Sequence, residues 1–124
     1  MSDLTLSSLP KTWLFDVDGT LVVHNGHLTP RGDELLPGVK DVFARIPPED
    51  IIILLTARKD DYRIKLENFL HANDIRYDQI LYGMPMGERI LVNDKKPSGL
   101  VTAFAVNKDR DAPLDLNITI DETL

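Results

Sequence analysis

Two aspartates, Asp16 and Asp18, close a short apolar run, Lys11-Thr-Trp-Leu-Phe-Asp16, and are followed by Gly19-Thr20. Side chains alternate along extended backbone, so residues two apart point the same way and the two carboxylates share one side. Carboxylates that close repel each other, and the pair is costly without a proton or a cation between them. A hard divalent cation relieves that repulsion, and Mg²⁺ in such a place keeps waters and a substrate phosphate alongside. The pair also suits covalent chemistry. One carboxylate can attack phosphorus to form an acyl phosphate, which divides hydrolysis into two easier steps. Its neighbour can protonate the leaving oxygen and later deprotonate water.

Two further polar clusters follow apolar runs: Thr56-Ala-Arg58 after Ile51–Leu55, and Asn93-Asp94-Lys95-Lys96 after Ile90–Val92. The elements that must position them read as follows. Residues 1–10 are polar and without period, a loosely held lead-in. The run ending at Asp16 reads as a buried strand. Leu21 to Leu28 reads as a small hairpin with Asn25-Gly26 at its turn. Val39, Val42, Phe43 and Ile46 fall at helical spacing, and Pro47-Pro48 ends that helix. Ile51–Leu55, five apolar residues without alternation, suits a central parallel strand covered on both faces. Tyr62, Leu66, Phe69 and Leu70 mark an amphipathic helix to about Ala72. Gln79–Tyr82, Ile90–Val92 and Val101–Val106 read as further strands. This alternation predicts one α/β domain over 1–124 with a mainly parallel sheet flanked by helices. Ligands of such sheets bind at the carboxyl ends of the strands, so the three clusters are expected to converge on one rim.

The bulk numbers bound the function. The 124 residues suffice for one core, and 43% hydrophobic with 27% charged is an ordinary globular balance. A net charge of −6 argues against a nucleic-acid partner, and no apolar run approaches the roughly 20 residues that span a bilayer. Neither a membrane nor a secretory route is therefore expected. The absence of cysteine excludes thiol chemistry and fits a cytoplasmic setting. Residues 107–124, with Asp109, Asp111, Asp115, Asp121 and Glu122, read as a solvated acidic tail.

Asp16-Val-Asp18-Gly19-Thr20 after an apolar strand resembles the first motif of the haloacid dehalogenase (HAD) superfamily, the aspartate-nucleophile phosphatases. The resemblance spans Thr12 to about Val106. It implies a Rossmann-like fold, Asp16 as nucleophile, Asp18 as general acid/base, and Mg²⁺ held by Asp16, the Asp18 carbonyl and Asp94. Thr56, in a Leu-Thr-Ala-Arg context, is similar to the second motif, whose hydroxyl binds a phosphoryl oxygen. Gly19 and Arg58 join it as substrate contacts. Ile90-Leu-Val-Asn93-Asp94 is similar to the fourth motif, with Asn93 where the family often has a second acid.

The third-motif cation is not where the family's pattern puts it: where some small members read Gly-Lys-Pro, this chain reads Gly83-Met84-Pro85. Lys96, beside Asp94 and ahead of Pro97, is the favoured candidate; Lys95, Arg89 and Lys59 are the alternatives. The intervals between motifs leave no room for a cap domain. The resemblance thus implies a small capless phosphomonoester hydrolase, a homo-oligomer, and a small substrate such as a sugar or sugar-acid phosphate of surface-polysaccharide synthesis. A competing expectation is a non-catalytic metal- or phosphate-binding module or regulatory subunit. His24 and His27, in the Leu21–Leu28 segment, are candidate specificity contacts.

Overall fold

In the computed structural model, which describes residues 2–124, the chain is a small α/β protein with two parallel sheets and two α-helices. The larger sheet holds β2 (Thr12–Asp16), β3 (Ile51–Leu55) and β4 (Gln79–Leu81), in that order. The connections carry α1 (Val39–Arg45) and α2 (Arg63–Ala72). Both crossovers step across the sheet in the same direction, so the right-handed rule puts both helices on one face. Phe15, Leu54 and Ile80 share that face. Phe15 meets Phe43 of α1 with ring centroids 4.7 Å apart, and Leu66 and Leu70 of α2 join the same core.

The opposite face lacks such cover. Leu14, Ile53 and Gln79 are in register on it, with Ile51 before them and Leu55 and Leu81 after. Leu14 is 48% exposed and Ile51 45%. The expectation that Ile51–Leu55 is covered on both faces is therefore corrected. It is the central strand of its sheet, but only Ile52 and Leu54 are fully buried.

The second sheet pairs β1 (Ser2–Leu6) with β5 (Leu116–Ile120) in parallel. The expected loose lead-in thus contains a strand, and the expected solvated tail supplies its partner. Leu116 is buried in the core with Leu114, and Leu6 is also buried. Gly38 caps α1 at φ 87, a left-handed conformation that suits glycine. A Cβ there would collide with the Leu114 carbonyl oxygen, so the C-terminal segment packs directly on the start of α1.

Three other expectations are corrected. Leu21–Leu28 is not a hairpin: Leu21 and Val22 are fully buried, Asn25 is left-handed, and Gly26–Leu28 is a short 3₁₀ turn. Ile90–Val92 and Val101–Val106 form no strands. They lie in an irregular excursion between β4 and β5, folded back on itself by Asn93 Nδ2 to Thr102 Oγ1 at 2.8 Å and Lys96 N to the Leu100 carbonyl at 2.9 Å.

Candidate active site

Asp16 is the last residue of β2, and Asp18 lies just beyond it in a turn closed by Gly19 N to the Val22 carbonyl at 2.8 Å. Gly19 has φ 82, and its carbonyl accepts from Lys108 Nζ at 2.8 Å and Asp111 N at 2.9 Å. A Cβ on Gly19 would press on the Arg110 side chain at 3.1 Å. The turn is therefore clamped from outside by residues 108–111.

Thr56 and Arg58 reach the same place from the end of β3. Thr56 Oγ1 donates to Asp18 Oδ2 at 3.2 Å and accepts from Arg58 N at 3.0 Å. Arg58 Nη2 donates to Asp18 Oδ1 at 2.8 Å and to Asp33 Oδ1 at 2.7 Å, and Arg58 Nη1 donates to Asp33 Oδ2 at 3.0 Å. Side-chain exposure is 2% for Arg58 and 5% for Asp33. Burial works to lower the Arg58 pKa, but the bonds from Asp33 and Asp18 outweigh it, and the net direction is well up. This guanidinium stays charged and its geometry is fixed by a two-sided fork. Thr56 is fully buried, so its hydroxyl holds Asp18 and the turn after β3 and does not line the cleft.

Asp16 is engaged differently. Its Oδ2 accepts from Thr20 Oγ1 at 2.9 Å and its Oδ1 from Arg89 Nη1 at 2.8 Å. The pair is over a third exposed on both sides, so Arg89 can leave the carboxylate at little cost. A cleft of about 380 Å³ opens over Asp16 and Asp18, with Arg58, Arg89, Arg110 and His27 on its walls. His24 and Asn25 line it too, so the Leu21–Leu28 segment borders the site.

His27 stands edge-on to Tyr62, with centroids 4.7 Å apart. Its Nδ1 is buried without a hydrogen-bond partner, 3.9 Å from Asp18 Oδ1. Burial, then Arg58, lowers its pKa; Asp18 and Asp33 oppose the shift.

The sequence clusters converge in part. Asp16, Asp18, Thr56 and Arg58 come together. Asp94, Lys95 and Lys96 are exposed in the excursion and do not line the cleft. Arg89, one of the alternatives to Lys96, is the cation bonded to Asp16. Sequence reasoning missed Asp33, Lys108, Arg110 and Asp111. The signal for the last three was the alternation of bases with acids in Lys108-Asp-Arg-Asp111; for Asp33 there was none.

The Mg²⁺ that the resemblance implies does not fit the donor set of this fold. The expected ligands were Asp16, the Asp18 carbonyl and Asp94, and both Asp16 oxygens already accept hydrogen bonds, from Thr20 and from Arg89. Asp94 stands apart, and among the described residues no group of three or more acidic or histidine side chains could hold a metal ion. No helix among them is long and apolar enough to cross a membrane. No family model, curated protein or solved structure matches the chain.

Proposed function

We propose that this protein hydrolyses a phosphate monoester through an aspartyl-phosphate on Asp16, as a capless member of the HAD superfamily. The observation that carries the reading is Asp16 itself: a carboxylate at the carboxyl end of a parallel strand, open to a cleft, with Arg89 2.8 Å from its Oδ1. A dianionic phosphoryl group entering the cleft would draw Arg89 away from Asp16, with Arg110 on the same wall. The freed Asp16 oxygen attacks phosphorus, an O–P bond forms, and the ester O–P bond breaks. For this Asp18 has to take up a proton as substrate enters; it gives that proton to the leaving oxygen and recovers one from the water that then attacks the acyl phosphate. That second attack releases inorganic phosphate and restores the Asp16 carboxylate. Arg58 and Thr56 act on this chemistry by fixing the Asp18 rotamer.

The substrate class proposed, a small phosphorylated carbohydrate, rests on the family resemblance alone. A non-catalytic phosphate-binding module is the second reading. The observation favouring it is that both carboxylates are already neutralised by arginines. Turnover of p-nitrophenyl phosphate and of a sugar-phosphate panel, with and without added Mg²⁺ and beside Asp16→Asn, separates the two. Turnover abolished in Asp16→Asn supports the hydrolase. Phosphate binding without any turnover supports the module.

A further inference from the structure

A second cavity, of about 180 Å³, lies towards the other end of β2 from the Asp16 cleft, and the two share no lining residue. It is bordered by both sheets. Side chains alternate along a strand, so Leu4 and Leu6 of β1 share one face with Leu116, Ile118 and Ile120 of β5. That face is covered at one end, where Leu116 is 7% exposed, and open at the other, where Ile120 is 49% exposed. Leu6, Ile118 and Ile120 give the cavity its apolar wall, and Trp13 borders it from the larger sheet. The indole is fixed in place. It stacks on Phe15 with centroids 5.9 Å apart, and its Nε1 donates to Asp50 Oδ2 at 2.9 Å. The other Asp50 oxygen accepts from Lys11 N at 3.0 Å, so this buried carboxylate serves to hold the wall.

Two cations line the same space, Lys11 and Arg45. Among the described residues neither belongs to an ion pair. Lys11 Nζ donates to the Ser7 and Leu9 carbonyls at 2.6 and 2.7 Å. Arg45 donates from Nε to the Asp41 carbonyl at 3.3 Å and from Nη2 to the Leu116 carbonyl at 3.2 Å. These bonds hold both heads at the cavity while leaving further N–H donors on each. Cationic side chains that cross an apolar surface ordinarily release their heads to water. Here backbone carbonyls keep them in position. Asp50 is the one acid on the lining, so the cavity keeps an excess of positive charge.

Apolar walls with a few placed polar groups are the usual make-up of a small-molecule site. The volume is that of about six waters at about 30 Å³ each, which sets the size of the occupant well below a drug-sized ligand. Two cations against one acid match a single negative charge better than a phosphate dianion. We propose that this cavity binds a small apolar monocarboxylate, its hydrocarbon body between Trp13 and Ile120 and its carboxylate accepting from Arg45 and Lys11. The site is independent of the reading of Asp16 as nucleophile.

Trp13 is the only tryptophan of the chain, so its fluorescence reports on this cavity directly. Hexanoate is the probe, and hexanamide is its uncharged counterpart of the same shape. Titration of the full chain with hexanoate should change the Trp13 emission and saturate, with a Kd of about 1 mM or tighter. Hexanamide should bind about tenfold more weakly or worse, the worth of a charge-assisted contact. Ile120→Asp, which sets an acid at the open end, and Arg45→Gln should each weaken hexanoate by a similar factor. Both positions are exposed, so an unchanged circular dichroism spectrum is expected of both variants. Inorganic phosphate at about 10 mM and constant ionic strength should leave the hexanoate titration unchanged. No saturation by about 10 mM hexanoate, equal binding of hexanamide, or undiminished binding in either folded variant overturns the proposal. Displacement of hexanoate by phosphate would place it in the Asp16 cleft and overturn the proposal as well.

Discussion

Replacing Arg58 with alanine is the perturbation that most sharply probes how the site is held. Its guanidinium is almost fully buried and donates to both Asp18 and Asp33 at distances from 2.7 to 3.2 Å. Truncation removes the partner of two carboxylates at once, one of them nearly as buried as the arginine. Breaking a buried ion pair from one side costs about 3–5 kcal/mol, because the remaining charge is left without compensation. With total stabilities of about 5–15 kcal/mol for domains of this kind, that is a large share. At about 4 °C per kcal/mol for a chain of this size, the melting temperature should fall by roughly 12–20 °C. Arg58→Lys keeps the charge but loses the planar fork that bridges two acids, and should fall between wild type and Arg58→Ala. Urea unfolding followed by circular dichroism measures the loss. The Arg58→Ala, Asp33→Ala cycle should show a coupling above about 1 kcal/mol. A loss below about 1 kcal/mol for Arg58→Ala, the range of an exposed pair, would refute the picture of a buried clamp.

Three other outcomes are expected. Arg89→Ala removes an exposed pair, so stability should change by less than about 0.5 kcal/mol, while turnover falls by about 10²–10³ for loss of one transition-state charge contact; steady-state kinetics beside a thermal melt reads both. Burial and Arg58 hold the His27 pKa below its ordinary 6.5, so its NMR titration midpoint should lie below that of an unfolded-chain histidine. The linked stability is fully present above pH 6.5 and is lost as the pH falls through the lowered value, and a midpoint above 6.5 would contradict the burial argument. Gly38→Ala forces a side chain into a left-handed position and onto the Leu114 carbonyl, and should cost about 2 kcal/mol or more in a denaturant melt.

What could be read from the sequence, and what could not, follows from how local each signal is. Ile51–Leu55 announced itself by five apolar residues, and the strand ending at Asp16 by its apolar run, because each is specified within its own segment. The helix from Val39 was legible from its spacing and from Pro47-Pro48. The pairing of β1 with β5 was not, since Ser2↔Leu116 joins the two ends of the chain and neither segment has a period of its own. Leu21 and Val22 were read as one arm of a hairpin; their burial in the core is a tertiary outcome that a turn dipeptide does not encode. At the site, spacing brought Asp16, Asp18, Thr56 and Arg58 together correctly. It missed Asp33 because the buried face of Arg58, which needs a second acid, becomes visible only once the chain is folded. Asp94 and Lys96 were placed by assuming that Ile90–Val92 is a strand of the same sheet, and in the single chain it is not.

The most direct measurement of the central claim is the covalent state of Asp16 during turnover. The protein is mixed with p-nitrophenyl phosphate, quenched in acid and digested, and the peptide containing Asp16 is weighed by mass spectrometry. The expected result is one added phosphoryl group on that peptide, located on Asp16, labile to hydroxylamine and absent in Asp16→Asn. Full turnover in Asp16→Asn, or a phosphoryl group found on another residue, would contradict the assignment of Asp16 as the nucleophile.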